Sequence, residues 1–544
     1  MNLSRRSRQP SPARAVHQLL PRLAWGDAVG NQARYLRELL RSWGYASDIY
    51  AEQWDEECRD QVRPAKDYPR EADDGTALLI HHSFESRLVP LIARAPGRKA
   101  VVFHNITPAR LFEGFERKVA EACTAAREEL LALRPLVEGA YAYSGFSAEE
   151  LSAAGFPHVS VLPFAVDWRA FDAPPDPVLR AELDDGCANL LFVGRAVPHK
   201  RVEDVLRVFT AWQQLYQPRS RLLIAGYLNR ETPYGGALHA LRDTLGPERV
   251  HFLGRVSAAQ LSACFSVASA YLSMSRHEGF GVPLLEAMYR GVPVVAYGAA
   301  AVPETMGGAG LTTLSREPLE VARLLAVLER NPALRTQVLE AQRTRVGALS
   351  QEAVASGVKE GLRPFLEGRL DTARTAEAPA AYNLLCPALG SRPDSDMARL
   401  ARRVAEKLGR ARLLTLRSGP PSPRTAPEVE RSGGLETWRF TPDEPLPREA
   451  AGELPPSSSL ETAVVASEAV PVLLGVESAS ARELLSRRPG RLWGVADATL
   501  PAPARAEAQR KLGPRLLELS SSQLDTTATR LAELLARPGE AHGR

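Results

Sequence analysis

The chain has 544 residues, 44% of them hydrophobic, which is enough for three or four domains with buried cores. Basic and acidic residues nearly balance, 68 against 64, and the net charge of +4 argues against a dedicated nucleic-acid-binding protein. The five scattered cysteines form no C-x-x-C pair, so they indicate neither a disulfide framework nor a structural zinc site and fit a reducing compartment.

The sequence carries no signal for secretion or membrane insertion. Its first twenty residues are basic but lack the apolar run of a signal peptide. Nowhere do about 18 uncharged apolar residues follow one another, as a membrane-spanning helix requires. We therefore expect a cytoplasmic protein without a transmembrane segment.

The first predicted strands lie at residues 77–83, 100–105 and 139–144. Each is a short, nearly continuous apolar run, and amphipathic stretches separate them. This alternation is typical of parallel strands that helices cover on both faces. It predicts a doubly wound α/β domain, which we place at residues 1–170.

Two segments of this first domain carry candidate site residues. Gly30 lies in "GDAVGN", a glycine-containing loop that opens an amphipathic helix, although helix capping by Asp27 or Asn31 explains much of the same pattern. His104 follows a predicted strand, at the edge where parallel sheets bind ligands. A lone histidine is more often structural, so both roles stay open for His104.

A second series of strands predicts another doubly wound domain, which we place at residues 171–370 behind a stretch rich in proline and acid. The predicted strands are 189–194, 221–226, 249–254, 268–275 and 292–298. The first three end in glycine, which would let a bound molecule approach the backbone at the carboxyl edge of the sheet. Any one of these glycines is equally well explained by the common occurrence of glycine where a strand ends.

Two cations follow the first strand of this second domain. In "VGRAVPHK", Arg195 comes directly after the strand-end glycine and Lys200 comes five residues later, before a predicted helix. Such a pair could neutralise a diphosphate on which negative charge grows during a reaction. The alternative is a solvated surface pair.

The stretch "SRHEGFGVPLLEAM", residues 275–288, combines two carboxylates with a turn from a strand into a helix. Glu278 lies in the glycine-containing loop, and Glu286 lies in the helix that Pro283 opens. The free N–H groups at that helix end favour an anion such as phosphate, whereas carboxylates accept hydrogen bonds from hydroxyls. A nucleotide sugar has phosphate between two polyhydroxylated groups, so a nucleotide sugar fits all three features. A capped surface helix with solvated acids is the alternative.

The composition changes after residue 370. Strand-like and helical patterns continue through residues 371–544 and predict an additional α/β region of unknown role. Two stretches rich in proline and serine, 417–434 and 443–459, are typical of linkers or disorder. Neither stretch contains a motif that indicates a particular chemistry.

Several of these stretches together resemble a known family. "SRHEGFGVPLLEAMYRGVPVVAYGAAAVPETMGGAG" resembles the E-x7-E region of the retaining family 4 glycosyltransferases, which have the GT-B fold. "FVGR…HK", "VSVLPFAVD", "FHNITP" and "GDAVGN" are similar to further segments of that family, although Phe164 and Ala165 stand where Asn-Gly is usual. The resemblance covers about residues 20–366. It implies two Rossmann-like domains that face a cleft, followed here by the additional C-terminal α/β region with Pro-rich loops.

The resemblance also implies roles for the donor-binding residues. Glu278 would meet the hydroxyls of the donor sugar near the reacting carbon, and Glu286 would take the ribose hydroxyls. Arg195 and Lys200 would neutralise the diphosphate. The backbone N–H groups at residues 280–282, which are Phe280, Gly281 and Val282, would help them.

Three further roles follow from the same resemblance. Gly30 would pack against the phosphates from across the cleft, and His104 would contact the sugar or the phosphate and help to align the acceptor. The backbone near Val256 would border the nucleobase. The family resemblance implies that no metal or other cofactor is required.

The implied activity is transfer of a sugar from a nucleoside-diphosphate donor to a hydroxyl of a glycan or lipid-linked acceptor, with retention at the anomeric carbon. It would serve glycan, polysaccharide or glycolipid assembly in the cytoplasm, with peripheral contact to the inner membrane face. Two alternatives stay open. One is a nucleotide-sugar epimerase or hydrolase on the same fold, and the other is a non-catalytic nucleotide-sugar-binding scaffold protein.

Overall fold

The computed structural model describes residues 13–370 without interruption and parts of the region that follows. The described parts of that region are 382–386, 389, 394–409, 411–417, 424–432, 435–445, 456–467, 469–474, 493–497, 502–512, 515–519 and 524–536. The strands of the described residues form three sheets. We call the first sheet with its helices the first lobe, the second likewise the second lobe, and the described residues from 382 onward the C-terminal unit.

Seven parallel strands form the first sheet. They are β1 (Ala15–Leu23), β2 (Ile49–Trp54), β3 (Arg63–Pro64), β4 (Thr76–His82), β5 (Arg98–Phe103), β6 (Gly139–Ala142) and β7 (Val159–Val161). Their order is β3-β2-β1-β4-β5-β6-β7. The helices between them are α1 (Ala28–Ser42), α2 (Tyr68–Glu71), α3 (Val89–Arg94), α4 (Arg117–Leu133) and α5 (Gly145–Ala153). Every residue of the central strand β4 is buried, as its apolar run predicts.

Six parallel strands form the second sheet. They are β8 (Ala188–Val193), β9 (Ser220–Ala225), β10 (Val250–Gly254), β11 (Ala268–Ser273), β12 (Val294–Tyr297) and β13 (Leu311–Thr313). Their order is β10-β9-β8-β11-β12-β13, so the direction of winding reverses between β8 and β11. In open α/β sheets, ligands bind beyond the carboxyl ends of the strands at such a reversal.

Nine helices accompany this second sheet within residues 177–366. They are α6 (Pro177–Leu183), α7 (Val202–Leu215), α8 (Pro233–Leu245), α9 (Ala258–Ser266), α10 (Val282–Tyr289), α11 (Val302–Met306), α12 (Pro318–Arg330), α13 (Pro332–Ala348) and α14 (Gln351–Leu366). The helix α14 follows the second sheet but packs on the first lobe. A Cβ on Gly357 would lie 2.6 Å from the ring of Pro163, and Arg98 donates a hydrogen bond to the carbonyl of Leu366 at 3.1 Å. The two lobes therefore share this helix, and the domain boundaries at 170 and 370 stay predictions.

The C-terminal unit contains a third α/β sheet. Its strands are β14 (Tyr382–Leu385), β15 (Ala411–Leu416), β16 (Glu428–Ser432), β17 (Leu435–Phe440), β18 (Val470–Leu474), β19 (Trp493–Asp497) and β20 (Leu516–Leu519), and its described helices are α15 (Asp396–Leu408), α16 (Ser458–Ala466), α17 (Ala502–Leu512) and α18 (Leu524–Ala536). The order is β16-β17-β15-β14-β18-β19-β20, with only β16 antiparallel among these strands. The predicted fold class, two doubly wound domains plus a further α/β region, is confirmed.

The stretches rich in proline and serine contain ordered structure. Residues 428–432 of the first stretch form β16, which pairs with β17. Residues 418–423, 433–434 and 446–455 lie outside the described residues. The described ends of the second stretch, at Asp443 and Ser458, are buried.

Candidate functional site between the lobes

Glycines occupy the carboxyl ends of three neighbouring strands in the second lobe. Gly194, Gly226 and Gly254 follow or end β8, β9 and β10, and the amide of Gly226 donates to the carbonyl of Gly254 at 2.8 Å. A Cβ on Gly226 would lie 2.0 Å from the carbonyl oxygen of Gly194. These contacts leave no room for a side chain at Gly226, so the strand ends pack backbone against backbone.

The two predicted cations lie directly beyond this edge. Arg195 is exposed after Gly194, and Lys200 ends a short 3-10 helix, Pro198–Lys200, that precedes α7. The Nζ of Lys200 lies 2.6 and 2.7 Å from the two carboxylate oxygens of Glu278. The structure therefore brings together a cation and an acid that are 78 residues apart in the sequence.

The buried histidine beside Lys200 responds to this positive charge. Burial lowers the pKa of His199 well below its ordinary value, and Lys200, His277 and Arg195 lower it further. His199 is thus neutral at physiological pH. The positive charge of this edge belongs to Arg195 and Lys200.

We call residues 275–282 the motif loop, because they connect β11 to α10. Gly281 adopts a left-handed conformation, with φ at 97°, and immediately precedes the first residue of α10. A side chain is strained in that conformation, which explains a glycine here. The free N–H groups of the first turn of α10 therefore start at the loop, where their partial positive charge favours an anion.

Glu286 lies one turn into α10 and is buried, with 7% of its surface exposed. Burial raises the pKa of its carboxyl, and Arg290, whose Nε lies 3.4 Å away, opposes that rise. Burial chiefly raises the pKa of Tyr271 on β11, and the charges of Glu278 and Glu286 both add to it. Both carboxylates therefore lie close enough to Tyr271 to act on it electrostatically, and their roles in donor binding stay predictions.

A chain of polar side chains holds the predicted residue His104 in the first lobe. His104 follows β5, and its Nε2 lies 2.7 Å from Nδ1 of His81. The other nitrogen of His81 lies 2.9 Å from Oε1 of Gln18 on β1. Burial lowers the pKa of His81 to about 3, and burial together with His81 and His82 places the pKa of His104 well below its ordinary value. Both imidazoles are neutral at physiological pH.

The first lobe touches the motif loop through Asn105 and Gly279. A Cβ on Gly279 would lie 2.9 Å from Cβ of Asn105 and 3.1 Å from the carbonyl oxygen of His104. The Oδ1 of Asn105 lies 2.7 Å from Nε2 of His277, and Ser144 donates to the carbonyl of Gly279 at 3.1 Å. His104 is therefore next to the loop that carries Glu278.

Asn105 and His277 are the members of this contact that the sequence did not single out for the site. Both lie beside predicted residues, so adjacency was a usable signal. Their pairing joins residues 172 positions apart, which no local pattern indicates. Asn105 also adopts a left-handed backbone conformation, with φ at 69°, which asparagine tolerates better than most residues.

An aromatic contact closes the other end of the motif loop. The rings of Phe280 and Phe164 stack with centroids 4.2 Å apart and planes 15° apart. Phe164 belongs to the segment after β7, where the family resemblance departs from the usual Asn-Gly. The departure thus supplies an apolar contact between the lobes.

A cavity of about 620 Å³ lies between the lobes beside this contact. It is lined by the start of α1, the segment after β7, and Val282 from the second lobe. Its lining includes Asn31, Tyr35, Phe164, Phe171, Val282 and Gln351. Polar and aromatic groups of the first lobe and of the shared helix α14 therefore face a space next to the motif loop, with Val282 of the second lobe at its edge.

Gly30 and Val256 are the predicted residues least connected to this group. The N–H of Gly30 donates to Asp27 within the first turn of α1, and a Cβ there would lie 2.8 Å from the carbonyl oxygen of Ala24. The capping role considered for Asp27 is thus present. Val256 is half-buried just beyond β10. In the described part of the chain, no hydrogen bond joins either residue to Lys200 or Glu278, and their roles stay predictions.

The described residues form neither a metal-binding cluster nor a membrane-spanning helix. Among them, no three side chains of His, Cys, Asp or Glu come together in an arrangement that could hold a metal ion. In the same part of the chain, no helix is both long and apolar enough to cross a bilayer.

Comparison with known proteins identifies the relatives of this fold. Residues 181–345 match the model of the family "Glycosyl transferases group 1". O-antigen chain mannosyltransferase B of Escherichia coli is 31% identical over 121 residues, which are 22% of this chain and 31% of that protein. D-inositol 3-phosphate glycosyltransferase of Segniliparus rotundus is 28% identical over 290 residues, which are 52% of this chain and 62% of that protein. The chain thus spans less than two thirds of both relatives.

Solved structures share the arrangement of the two lobes. A crystal structure of HepE from Anabaena in complex with UDP and glucose aligns with a TM-score of 0.51 at 16% identity, over 64% of this chain and 99% of that one. At this identity the likeness concerns the fold. Together with the family match, it confirms the predicted resemblance to family 4 glycosyltransferases. Both curated relatives are glycosyltransferases, in agreement with the enzyme class that the sequence predicts.

Proposed function

We propose that this chain, whose residues 181–345 match the glycosyl transferases group 1 family, transfers a sugar from a nucleoside-diphosphate donor to a hydroxyl acceptor with retention of configuration. The observation that carries the proposal is the pair of Lys200 and Glu278 at the strand ends of the second lobe. A cation for phosphate and an acid for hydroxyls meet at one point, next to a helix N-terminus. A sugar diphosphate needs both within a few ångströms.

The donor's diphosphate would bind between Arg195, Lys200 and the first turn of α10. Negative charge grows on this group as the bond to the sugar breaks, so donors fixed in place stabilise the transition state more than the ground state. Lys200 would exchange its carboxylate partner for a phosphate oxygen. Glu278, released from Lys200, would then accept hydrogen bonds from the sugar hydroxyls.

Glu286 would hold the ribose of the nucleotide. An ionised carboxylate accepts hydrogen bonds from two neighbouring hydroxyls, and the buried position of Glu286 strengthens them because water competes less. Arg290 beside it favours the charged form and opposes the burial that raises the pKa of this carboxyl. The backbone near Val256, at the next strand end, would border the base.

We assign Glu278 a positioning role, as an acceptor for the sugar hydroxyls, and not the role of a covalent nucleophile. The resemblance to family 4 glycosyltransferases favours attack by the acceptor on the face of the departing phosphate, which gives retention without a glycosyl-enzyme. The leaving phosphate would receive the acceptor's proton. The neutral His104 would hydrogen-bond to the sugar or phosphate and help to align the acceptor.

The acceptor would enter the cavity of about 620 Å³ between the lobes. The relatives' names refer to an O-antigen chain and to inositol 3-phosphate, which agrees in general terms with a polyhydroxylated acceptor in polysaccharide or glycolipid assembly. We place the reaction in the cytoplasm, with peripheral contact to the membrane where the acceptor is lipid-linked. No metal has a role in this proposal.

Thermal shift against a panel of nucleoside-diphosphate sugars, including UDP-glucose and GDP-mannose, tests the proposal. A donor at 100 times its dissociation constant adds about 2.7 kcal/mol to stability. The donor that shifts the protein is then incubated with hydroxyl acceptors, and the anomeric configuration of the product is read by NMR. Release of free or epimerised sugar without an acceptor would indicate a hydrolase or epimerase. Binding without turnover would indicate a scaffold protein, and no shift with any donor would reject the proposal.

A further inference from the structure

The C-terminal unit reaches both lobes through a short segment, residues 441–445, that we call the acidic bridge. It follows β17, and its two carboxylates are buried, with 1% of Asp443 and 6% of Glu444 exposed. Buried charges persist when oppositely charged partners and hydrogen bonds compensate them. The partners here belong to the two lobes.

Asp443 joins the first lobe to the second. Its carboxylate pairs with Arg110 of the first lobe and accepts a hydrogen bond from Ser458 Oγ at 2.8 Å. Its carbonyl oxygen accepts from the N–H of Ala300, in the loop after β12, at 2.6 Å. Ala300 has φ at 50°, a left-handed conformation that alanine rarely adopts and that its surroundings must impose. The next N–H, that of Ala301, donates to the carbonyl of Glu278 at 3.3 Å.

Glu444 accepts hydrogen bonds from the motif loop and from β12. Its Oε1 accepts from Nε of Arg276 at 2.7 Å, and its Oε2 accepts from the hydroxyl of Tyr297 at 3.3 Å. The N–H of Arg276 in turn donates to the carbonyl of His199 at 2.8 Å. Arg276 is thus two residues from Glu278 and bonded to the residue before Lys200.

These contacts lead from the C-terminal unit to both members of the central ion pair. Ala300 and Ala301 connect Asp443 to the backbone of Glu278, and Arg276 connects Glu444 to the backbone beside Lys200. The acidic bridge touches neither of those two side chains. Its position can therefore set where the ion pair lies without taking part in the chemistry.

A second contact fixes the C-terminal unit on the first lobe. Helix α5 carries Glu149, which is fully buried and pairs with Arg417 at the end of β15. The N–H of Thr441, the first residue of the acidic bridge, donates to Glu149 at 2.6 Å. This contact fixes the start of the acidic bridge to the first lobe. Asp443 and Glu444, which follow in the chain, bind residues of the second lobe.

We propose that Asp443 and Glu444 are positioning residues for glycosyl transfer, contributed by the C-terminal unit, which brace the two lobes and align Glu278 with Lys200. This inference rests on the proposed function for its catalytic consequence, but the bracing of the lobes does not. Loss of the bridge charges lets the motif loop shift and the lobes separate. The C-terminal unit is then a part of the donor site, not an appended module.

The test uses the full chain with Glu444→Gln and Asp443→Asn. Glu436→Gln is the matched control, because Glu436 pairs with Arg412 and Arg431 within the C-terminal unit. All five cysteines are buried, so Lys118→Cys on α4 and Arg323→Cys on α12, both at exposed positions, can be labelled selectively. The distance between the two labels reports the separation of the lobes without any ligand or turnover.

We expect the distribution of distances between the two labels to broaden and to shift to longer distances in Glu444→Gln and Asp443→Asn. It should stay unchanged in the control, Glu436→Gln. We also expect affinity for the nucleotide sugar to fall about tenfold and affinity for the free nucleoside diphosphate to fall less, because only the nucleotide sugar would contact Glu278. Glu444→Asp, which keeps the charge, should recover part of the loss. Tyr297→Phe, a milder change that removes one hydrogen bond to Glu444, should act in the same direction if the bridge variants fold poorly.

An unchanged distance distribution in Glu444→Gln, Asp443→Asn and Tyr297→Phe would overturn the inference. An equal loss of affinity for the sugar nucleotide and the free nucleoside diphosphate would overturn the positioning of Glu278. If no nucleotide sugar binds the parent protein, the proposed function fails, and the label distances still decide whether the acidic bridge braces the lobes.

Discussion

Lys200 holds Glu278 by both carboxylate oxygens, with its Nζ at 2.6 and 2.7 Å. The pair connects the loop after β8 to the loop after β11, on either side of the point where the winding of the second sheet reverses. A diphosphate competes for the cation, and hydroxyls compete for the acid. Donor binding would thus separate the two side chains and give each a new partner.

Removal of either charge should therefore slow transfer strongly while the fold persists. We expect Lys200→Ala to lower kcat by about 10² to 10³, the usual cost of one lost donor to developing charge. Glu278→Gln should raise the KM for the donor and lower kcat, since an amide accepts hydroxyl hydrogen bonds more weakly. Steady-state kinetics with Lys118→Ala on exposed α4 as the control would measure both effects. Near-parental kcat in both site variants would reject this assignment.

Glu286 should make donor binding depend on pH. Burial raises the pKa of its carboxyl against the opposing effect of Arg290, so its proton is taken up at a higher pH than for an ordinary glutamate. The protonated acid loses an acceptor for the ribose hydroxyls. Donor affinity should consequently fall as the pH decreases through this raised pKa.

Titration calorimetry at several pH values from neutral pH down to about 4.3, the ordinary pKa of a glutamate, would measure the effect. The control is Glu286→Gln, whose amide does not titrate. We expect this variant to bind more weakly at neutral pH and to show a flatter pH dependence than the parent. Parallel pH profiles for the two proteins would assign the titration to another group.

The sequence indicated most of the strands whose apolar runs are nearly continuous and missed several whose runs are interrupted. The runs that became β4, β5, β8 and β9 are nearly continuous in Leu, Ile, Val, Ala and Phe, and each was predicted. The neighbouring strand β1 was not, since His17, Gln18 and Arg22 interrupt its pattern. The structure shows that Gln18 is buried but bonded to the carbonyl of Ala33 and to His81. Such compensation involves distant residues, so a local pattern does not reveal it.

The same limit applies to the candidate site. The strand-end glycines and the E-x7-E spacing are local, and they indicated the crevice and both acids. The acidic bridge has the composition of a linker, and its structure depends on partners such as Arg110, 333 residues away from Asp443. Local patterns therefore indicated where the strands of the second lobe end, and they did not indicate the contacts between the lobes, whose partners lie far apart in the sequence.

Gly279 offers a direct test of the contact between the lobes. A Cβ at this position would lie 2.9 Å from Cβ of Asn105 and 3.1 Å from the carbonyl oxygen of His104, so the lobes must move apart to admit it. We expect Gly279→Ala to lower turnover by about 10- to 100-fold, because small misplacements of reacting groups are costly. Its melting temperature should change little.

The matched control for that variant is Gly347→Ala in α13. Its Cβ meets nothing within 4 Å, and alanine is the better helix former by about 0.8 to 1.0 kcal/mol. This variant should keep full activity and unfold at a slightly higher temperature. Full activity in Gly279→Ala as well would show that the contact does not limit catalysis.

The buried histidines of β4 should make stability fall in mild acid. Burial lowers the pKa of His82 to about 4, although the carbonyl of Ala126, 2.8 Å from its Nε2, opposes this shift. The unfolded chain binds a proton near pH 6.5 that the folded chain does not bind until about pH 4, so stability present above pH 6.5 is lost as the pH decreases. The slope for one such group is about 1.4 kcal/mol per pH unit.

Urea unfolding between pH 7 and 4.5, roughly the window set by these two pKa values, would measure the slope. His82→Gln keeps a donor toward Ala126 but does not titrate, so we expect it to flatten the dependence by about one proton. His158→Asn, a change at an exposed histidine, serves as the control. An unchanged slope in His82→Gln would mean that the pKa of His82 is the same in the folded and the unfolded chain, and it would contradict this prediction.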